Sequence, residues 1–237
     1  MNELGKRTLT GMLIVAAIVG AALAGKAWFA VLTGLIWAGC CLETVRLFSI
    51  RSELSSAMPD VTSGTVACYL LRVFSGILYV TLGMVCLYLL YVCLGCYGLL
   101  GFFVLIWSSD IFAYLTGSLL GRHKLCPKIS PSKTWEGAMG GFLFAVGLAY
   151  VWKIWLLPDT GILFWLVFSV LTIVAGMGGD LLESAVKRKA GVKDSGRFLP
   201  GHGGVLDRFD SVLLAAPVAL ATWFILNWIL DGKILFA

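Results

Sequence analysis

Charged residues are scarce in this sequence. Only 13% of the 237 residues are Asp, Glu, Lys or Arg, whereas 59% are apolar. Soluble domains carry about 25% charged residues, so this chain lacks the polar surface that a water-soluble globule needs. The shortage argues against an ordinary soluble enzyme and predicts a protein that crosses a membrane several times.

Two motifs of soluble enzymes are also incomplete. Cys93-x-x-Cys96 has the spacing of a redox or metal pair, but no second cysteine pair or flanking histidine completes a zinc site. The seven cysteines lie mostly in apolar runs, which favours small side chains packed inside membrane helices. Lys133 lacks the preceding glycine pattern of a P-loop. Without repeats, low-complexity tracts or a soluble domain, residues 1–237 are expected to form a single integral membrane domain.

Long apolar runs predict about seven transmembrane helices, each of roughly 17–25 residues. The predicted spans are 8–25, 27–45, 73–94, 97–120, 138–157, 161–180 and 211–230. Lys6-Arg7, an apolar run and Ala22-Leu23-Ala24 also resemble a secretory signal. We expect no cleavage there, because the second span begins almost at once. The predicted fold class is therefore all-α, a polytopic transmembrane helical bundle.

Basic residues are unevenly distributed among the predicted loops. With the N-terminus in the cytoplasm, all but three of the 18 lysine and arginine residues fall on the cytoplasmic side. The exceptions are Lys26, Lys153 and Lys233. This asymmetry follows the positive-inside rule and predicts a cytoplasmic N-terminus. Five acids of the segment 180–211 share that side, so the chemistry is expected to face the cytoplasm, where nucleotides are.

The segment 180–211 carries the densest group of polar residues. If the preceding span continues as a helix, one face holds Asp180, Ser184, Lys187 and Arg188. A carboxylate, a hydroxyl and two cations at a membrane boundary suit a phosphate group with a divalent ion.

A glycine-rich turn and a second acidic pair follow in the same segment. The turn contains Gly196, Pro200, Gly201, Gly203 and Gly204. Glycines let the backbone approach a ligand closely. The next helix opens with Asp207 and Asp210, which are three residues apart and can share Mg²⁺. The alternative is a polar loop with salt bridges such as Glu183–Lys187, but so many charges at a membrane edge are costly unless they hold something.

A second cluster lies between the fourth and fifth predicted spans. One helix face is expected to carry Asp110, Tyr114, Gly117 and Gly121, and the loop 130–137 reads S-P-S-K-T-W-E-G. This loop is either a basic turn whose lysine extends to the membrane surface or a phosphate-binding loop. A resemblance to a known enzyme family favours a nucleotide or phosphate contact for Ser132, Lys133 and Thr134. Glu136 then orients the loop or a metal ion.

Residues Ser184 to Asp210 resemble the signature of phosphatidate cytidylyltransferases, also called CDP-diacylglycerol synthases. That signature reads S-x-x-K-R, four residues, K-D, then a small residue, a hydrophobic-Pro pair and H-G-G-x-x-D-R-x-D. The family also has an acidic helix that leads to an S-P-x-K-T-x-E-G loop, as in 130–137. The resemblance implies a bacterial inner-membrane enzyme that converts CTP and phosphatidate to CDP-diacylglycerol and pyrophosphate.

The resemblance also implies roles for individual residues. Mg²⁺ would be held by Asp207 and Asp210 with help from Asp180. Whether a second cation also binds is left open. The predicted phosphate-binding residues are Lys187, Arg188, Lys193 and Arg208, with Ser184 as a hydrogen-bond donor and Asp110 as a further substrate contact. The family is expected to form homodimers, and Gly137-x-x-x-Gly141 offers one close-packing face. A CTP-dependent lipid-alcohol kinase and a solute transporter are the competing functions.

Three further residues receive separate interpretations. His202 lies in the glycine-rich turn, which favours a role in binding or shaping the site. His123 follows Arg122 at a helix end and is interpreted as a surface group. Glu43 is an acid near the inner end of the second span; a structural pairing, with Arg46 or another helix, is as well supported as a function.

Overall fold

The computed structural model describes residues 3–56, 64–158, 160–196 and 203–229, and most of these are helical. The elements are α1 (Glu3–Ala24), α2 (Lys26–Ser56), α3 (Gly64–Leu120), β1 (Lys124–Cys126), β2 (Ser130–Thr134), α4 (Trp135–Leu156), α5 (Ile162–Lys189) and α6 (Leu206–Ile229). The predicted helical class is confirmed, and each of the seven predicted apolar segments overlaps a helix.

Among the described residues, five helices are long and apolar enough to cross a membrane, where seven spans were predicted. They are Lys26–Ser49, Ala67–Leu120, Trp135–Leu156, Ile162–Lys189 and Leu206–Ile229, while the apolar helix Thr8–Ala24 is shorter. The 54 residues of Ala67–Leu120 would extend about 80 Å if straight, far beyond a hydrocarbon core of about 30 Å. Gly95 interrupts this helix with φ 69° and ψ −174°, between the two spans that the sequence predicts there.

A short β-hairpin departs from the all-α prediction. Strands β1 and β2 pair antiparallel, with Lys124 opposite Thr134 and Cys126 opposite Ser130. The strands are three and five residues long, and Pro131 lies within the second. Such short polar strands show no alternation of apolar and polar residues, so the sequence pattern does not reveal them.

The chain divides into two compact units. One comprises Met1–Val85 with Leu182–Asp210, and the other comprises Cys86–Leu181 with Ser211–Ala237. In the first unit, α2 packs closely on the start of α3, because Gly76 leaves room for the side chains of Thr44 and Phe48. The Trp37 indole also donates a 2.9 Å hydrogen bond to the Thr81 hydroxyl. The single domain over 1–237 stays a prediction.

In the second unit, α4 packs against the last part of α3 through glycines. A Cβ on Gly137 would lie 2.7 Å from the Ala113 carbonyl oxygen, and one on Gly141 would collide with the Ser109 carbonyl oxygen. The face Gly137-x-x-x-Gly141, predicted as a homodimer surface, is therefore used inside the chain. Small residues permit the close approach of two helices of one chain or of two different chains. The spacing alone does not show which helix is the partner.

Gly141→Ala is expected to destabilise the second unit, whereas Gly147→Ala on the same helix is expected to stabilise it. The added methyl group at 141 meets the α3 backbone and lies 2.9 Å from the Ala113 Cβ, so the helices must separate. Such overpacking typically costs about 1–3 kcal/mol. Nothing lies within 4 Å of a Cβ at 147, so alanine there only improves helix propensity, by about 0.5–1 kcal/mol. Thermal unfolding in detergent should show opposite shifts in Tm; equal shifts would contradict this packing.

Candidate active site

The two helices that carry the signature segment end and begin as the sequence predicts. Helix α5 continues past Asp180 to Lys189, and α6 begins at Leu206, so Asp207 lies in its first turn. The predicted polar face of α5 is nevertheless not uniform. Lys187 is only 9% exposed. Arg188 is exposed, and its guanidinium donates a hydrogen bond to the Val192 carbonyl oxygen at 3.4 Å.

Asp207 is the centre of the signature cluster, which we define as Glu43, Glu183, Lys187, Ser195 and Asp207. The Lys187 ammonium donates to Asp207 Oδ1 at 2.7 Å and lies 3.0 Å from Glu183 Oε1. The backbone N–H of Ser195 donates to both Asp207 oxygens, at 3.1 and 3.0 Å. The N–H of Gly204 donates to Asp207 Oδ2 at 2.8 Å. One carboxylate thus binds a cation and both ends of the glycine-rich loop.

The loop glycines make close contact with carboxylates of the chain itself. Gly203 adopts φ 81°, a conformation that favours glycine, and a Cβ there would lie 2.8 Å from Asp207 Oδ2. A Cβ on Gly196 or Gly204 would collide with the Glu43 carboxylate. The glycines thus allow the backbone to approach Asp207 and Glu43 of the chain itself, and the predicted approach to a ligand stays a prediction.

Sequence reasoning missed the partners of Glu43 and the role of Ser195. The Glu43 carboxylate accepts hydrogen bonds from the Ser195 hydroxyl and from the N–H groups of Val205 and Leu206, each at 2.9 Å. These residues are more than 150 positions apart, so no local spacing connects them. The one available signal was the acid itself, since a carboxylate inside an apolar helix calls for a partner.

The other predicted residues of the segment lie around this cluster. Lys193 and Arg208 are exposed, while Ser184 and Asp210 are partly buried. His202 lies outside the described residues, so its role stays a prediction. Arg188, Lys193 and Arg208 are exposed, and their phosphate-binding role stays a prediction.

The second predicted cluster surrounds a cavity of about 400 Å³ in the other unit. We call it the hairpin pocket, because strand β2, the adjoining ends of α3 and α4, and residues 177–181 within α5 line it. The predicted residues that line it are Asp110, Ser132, Lys133, Thr134 and Asp180. Apolar side chains such as Leu125, Met177 and Leu181 complete the wall. The structure therefore brings these five predicted residues into one pocket.

Lys133 provides the cation of the hairpin pocket. Its ammonium donates to Asp180 Oδ2, and each of these two side chains is a little over one-quarter exposed. A phosphate that enters the pocket would compete with Asp180 for Lys133. The ion pair with Asp180 orients the Lys133 ammonium inside the pocket, where it can bind a phosphate oxygen.

Thr134 lines the hairpin pocket, and Glu136 fixes the chain beside it. The Thr134 hydroxyl oxygen caps α4 by accepting the Gly137 N–H at 3.1 Å. Glu136 accepts from the N–H groups of Arg122 and His123 at 3.1–3.2 Å, and it pairs with His123 Nδ1 at 2.6 Å. Of the two roles predicted for Glu136, the geometry favours orienting the loop. The His123 side chain is 79% exposed, in agreement with its interpretation as a surface group.

The predicted Mg²⁺ ligands have suitable oxygen donors but do not form a complete protein cage. Among the described residues, no group of three His, Cys, Asp or Glu side chains is arranged to hold a metal ion. Mg²⁺ commonly binds through one or two carboxylates and completes its shell with water and substrate phosphates. Asp207 already accepts Lys187, so Lys187 would have to turn toward a phosphate before Asp207 could bind the ion. The metal role of Asp180, Asp207 and Asp210 stays a prediction.

Comparison with known sequences covers the hairpin pocket and every member of the signature cluster except Glu43. The sequence model of the cytidylyltransferase family matches residues 64–226, which is more than half of the chain and includes both the hairpin pocket and residues 180–211. The chain belongs to the cytidylyltransferase family. Glu43 lies outside the part that matches this family, on α2.

Curated members of the cytidylyltransferase family are similar over a shorter stretch. A phosphatidate cytidylyltransferase of Haemophilus influenzae is 45% identical over 127 residues, which is 52% of this chain and 44% of that protein. Proteins of the same name from Staphylococcus saprophyticus and Bacillus subtilis are each 48% identical, over 118 and 114 residues. These stretches are 49% and 48% of this chain, and 45% and 42% of the relatives. The matches therefore span less than half the length of each relative.

Proposed function

We propose that this protein is a phosphatidate cytidylyltransferase, which converts CTP and phosphatidate to CDP-diacylglycerol and pyrophosphate. The observation that carries the proposal is the signature segment: Asp207 gathers Lys187 and both ends of the glycine-rich loop in a chain of this family. Relatives that carry this name in three bacteria support the choice of substrates.

The chemical problem is to bring two anions together. A phosphate oxygen of phosphatidate attacks the α-phosphorus of CTP, a new P–O bond forms, and the bond from the α-phosphorus to the bridging oxygen breaks to release pyrophosphate. The lipid phosphate is already a nucleophile, so no covalent enzyme intermediate is needed. Positioning and charge stabilisation supply the catalysis, as in phosphoryl transfer generally.

The residues of the two clusters divide this work. Lys133, with Ser132 beside it, binds phosphate in the hairpin pocket, and Asp180 orients the Lys133 ammonium. Lys187 neutralises a phosphate oxygen while Glu183 holds its ammonium. The exposed Arg188, Lys193 and Arg208 attract the nucleotide, and Ser184 donates a hydrogen bond.

Asp207 and Asp210, with help from Asp180, are the residues that would hold Mg²⁺. The ion supplies charge neutralisation for the nucleotide and the departing pyrophosphate. In this arrangement Lys187 exchanges its bond with Asp207 for a substrate phosphate.

The proposed topology has seven spans and a cytoplasmic N-terminus. It treats Thr8–Ala24 as a short span and divides the helix 67–120 at Gly95. The asymmetric distribution of lysine and arginine supports the orientation and leaves both clusters at the cytoplasmic face of a bacterial inner membrane.

Reporter fusions after residues 25, 95 and 157 should all lie outside the cytoplasm; cytoplasmic reporter activity at any of the three would contradict this topology.

A homodimer remains an expectation from the family resemblance. Its interface cannot use the buried face of Gly137 and Gly141, because α3 of the same chain occupies that face.

The deciding experiment is a product analysis with purified protein in phospholipid nanodiscs. With CTP, Mg²⁺ and phosphatidate, we expect equal amounts of CDP-diacylglycerol and pyrophosphate, and no product after chelation of Mg²⁺ or without phosphatidate. A lipid-alcohol kinase would instead release CDP when it is given a polyprenol. CDP release, or no turnover at all, would contradict the proposal.

A further inference from the structure

Glu43 is a buried acid that the proposed mechanism does not use. It lies on α2 within the candidate membrane span Lys26–Ser49, and it is only 7% exposed. An ionised carboxylate at such a depth is expensive unless donors surround it. The Ser195 hydroxyl, the Val205 N–H and the Leu206 N–H all donate to it at 2.9 Å. The hydrogen bonds from the ends of the glycine-rich loop thus explain why a buried acid is stable at this position.

The contact between Glu43 and the loop occurs at the start of α6. Val205 and Leu206 carry N–H groups that no helical carbonyl accepts, because they precede or open the helix. The positive end of the helix dipole also favours an anion at this place. Glu43 fills this position from a different helix, so a substrate phosphate has no access to those two N–H groups.

The glycines of the loop are shaped for this carboxylate. A side chain at 196 would collide with Glu43 Oε1, and one at 204 would collide with Glu43 Oε2 and the Ser195 hydroxyl. On the α2 side, a Cβ at Gly39 would lie 3.3 Å from Val205, so the helix and the loop are in close contact there as well. Two glycines of the signature therefore serve an internal contact.

Ser195 connects this contact to the reacting groups. Its hydroxyl donates to Glu43, and its backbone N–H donates to Asp207. At the other end of the loop, Gly204 donates to Asp207 while the next two N–H groups donate to Glu43. Each end of the loop is thus held by the same two carboxylates, so a displacement of Glu43 also displaces Asp207 and its partner Lys187.

We propose that Glu43 is a positioning residue of the active site. It fixes the two described ends of the glycine-rich loop, 195–196 and 203–206, so that Asp207 and Lys187 keep their reactive geometry. The expected effect of Glu43 on kcat rests on the proposed function, whereas its hydrogen bonds to the glycine-rich loop do not. Glu43 lies outside the part of the chain that matches the cytidylyltransferase family.

Glu43→Gln is the most direct test, because it keeps the shape and removes one acceptor. Whichever way the amide is turned, its NH₂ group faces the N–H of Val205 or of Leu206. We expect kcat for CDP-diacylglycerol formation to fall by about 10- to 100-fold, with little change in KM for either substrate, because a displaced catalytic group impairs the reaction more than binding.

Thr44→Val is the matched control. Thr44 is the next residue on α2, is 4% exposed, and donates only within its own helix, to the Cys40 carbonyl oxygen at 2.7 Å. Valine has nearly the same shape, so this variant removes a buried polar group from the same turn without touching the loop. We expect its kcat to match that of the unmodified protein.

Ser195→Ala keeps the inference testable if the Glu43 variant is poorly folded. The loss of one neutral hydrogen bond is expected to lower kcat by about tenfold or less. If Glu43→Gln is poorly folded, Ser195→Ala alone should speed hydrogen exchange at the amides of Val205 and Leu206, and unchanged exchange and kcat would overturn the inference. If Glu43→Gln folds, the double variant should be no slower than Glu43→Gln alone, because both residues act through one contact. Independent, multiplying losses would overturn the inference.

Hydrogen exchange separates this inference from the proposed function. In Glu43→Gln, and not in Thr44→Val, the amides of Val205 and Leu206 should exchange faster, whether or not product forms. If the unmodified protein makes no CDP-diacylglycerol, the proposed function fails. Hydrogen exchange alone then tests whether Glu43 fixes the ends of the glycine-rich loop. If product forms but Glu43→Gln matches Thr44→Val in kcat and in exchange, Glu43 does not position the site.

Discussion

Asp207→Asn is expected to lower kcat for CDP-diacylglycerol formation by at least about 10²- to 10³-fold, the usual cost of removing a group that stabilises developing charge. Asparagine keeps one acceptor oxygen, and its NH₂ group would face either the Lys187 ammonium or the Gly204 N–H, both of which now donate to the carboxylate. Lys187 would then retain Glu183 as its charged partner. The loss applies whether or not Asp207 also binds Mg²⁺. The measurement is kcat in nanodiscs at saturating CTP and phosphatidate.

A double variant separates the two roles of Asp207. If its main role is to hold Lys187, then Asp207→Asn combined with Lys187→Met should be no slower than the slower single variant, because groups that act as a unit are not additive. Asp231→Asn makes the same chemical change outside the signature segment and should leave kcat unchanged. Near-normal turnover of Asp207→Asn would contradict the central place of this carboxylate.

Lys133→Met is expected to lower kcat/KM for CTP by about 10²-fold, because a charge-assisted bond to a phosphate oxygen is lost in a half-buried pocket. The substitution keeps most of the side-chain length, so the apolar part of the wall is preserved. It also leaves Asp180 without its lysine, which adds repulsion against an incoming anion.

Lys128→Met is the matched control for this second prediction. Lys128 lies in the turn between β1 and β2, is exposed, and is not among the residues that line the hairpin pocket. Both variants remove one positive charge from the same hairpin. Equal kcat/KM values for the two variants would show that general attraction of CTP, and not a bond from Lys133, explains the effect.

Local patterns in the sequence predicted much of the fold and part of the site. The apolar runs are long enough to identify helices because helix length and hydropathy are properties of neighbouring residues. The continuation of α5 to Lys189 and the start of α6 before Asp207 followed from the same kind of information. Ser132, Lys133, Thr134 and Asp110 were predicted as substrate contacts, and all four line one pocket, while their binding role stays a prediction.

Other expectations failed because they depended on which helix packs against which. The spacing Gly137-x-x-x-Gly141 correctly marked a face for close packing but not its partner, which is α3 of the same chain. The stripe of Lys187 and Arg188 on one helix face divides into a buried and an exposed residue. A helical projection places both side chains on one side, but the neighbouring loop and α6 decide which of them is covered.

The sequence by itself determined the class of protein, the apolar segments and the chemistry available at the signature segment, because these depend on composition and short spacings. Only the tertiary structure decided that Asp207 holds Lys187 and that Glu43 holds the ends of the glycine-rich loop. The reason is physical: Lys187 and Asp207 are 20 positions apart and lie on different helices, and Glu43 is more than 150 positions from its partners. Such contacts depend on how helices pack, and packing is set by the shapes of all the side chains together.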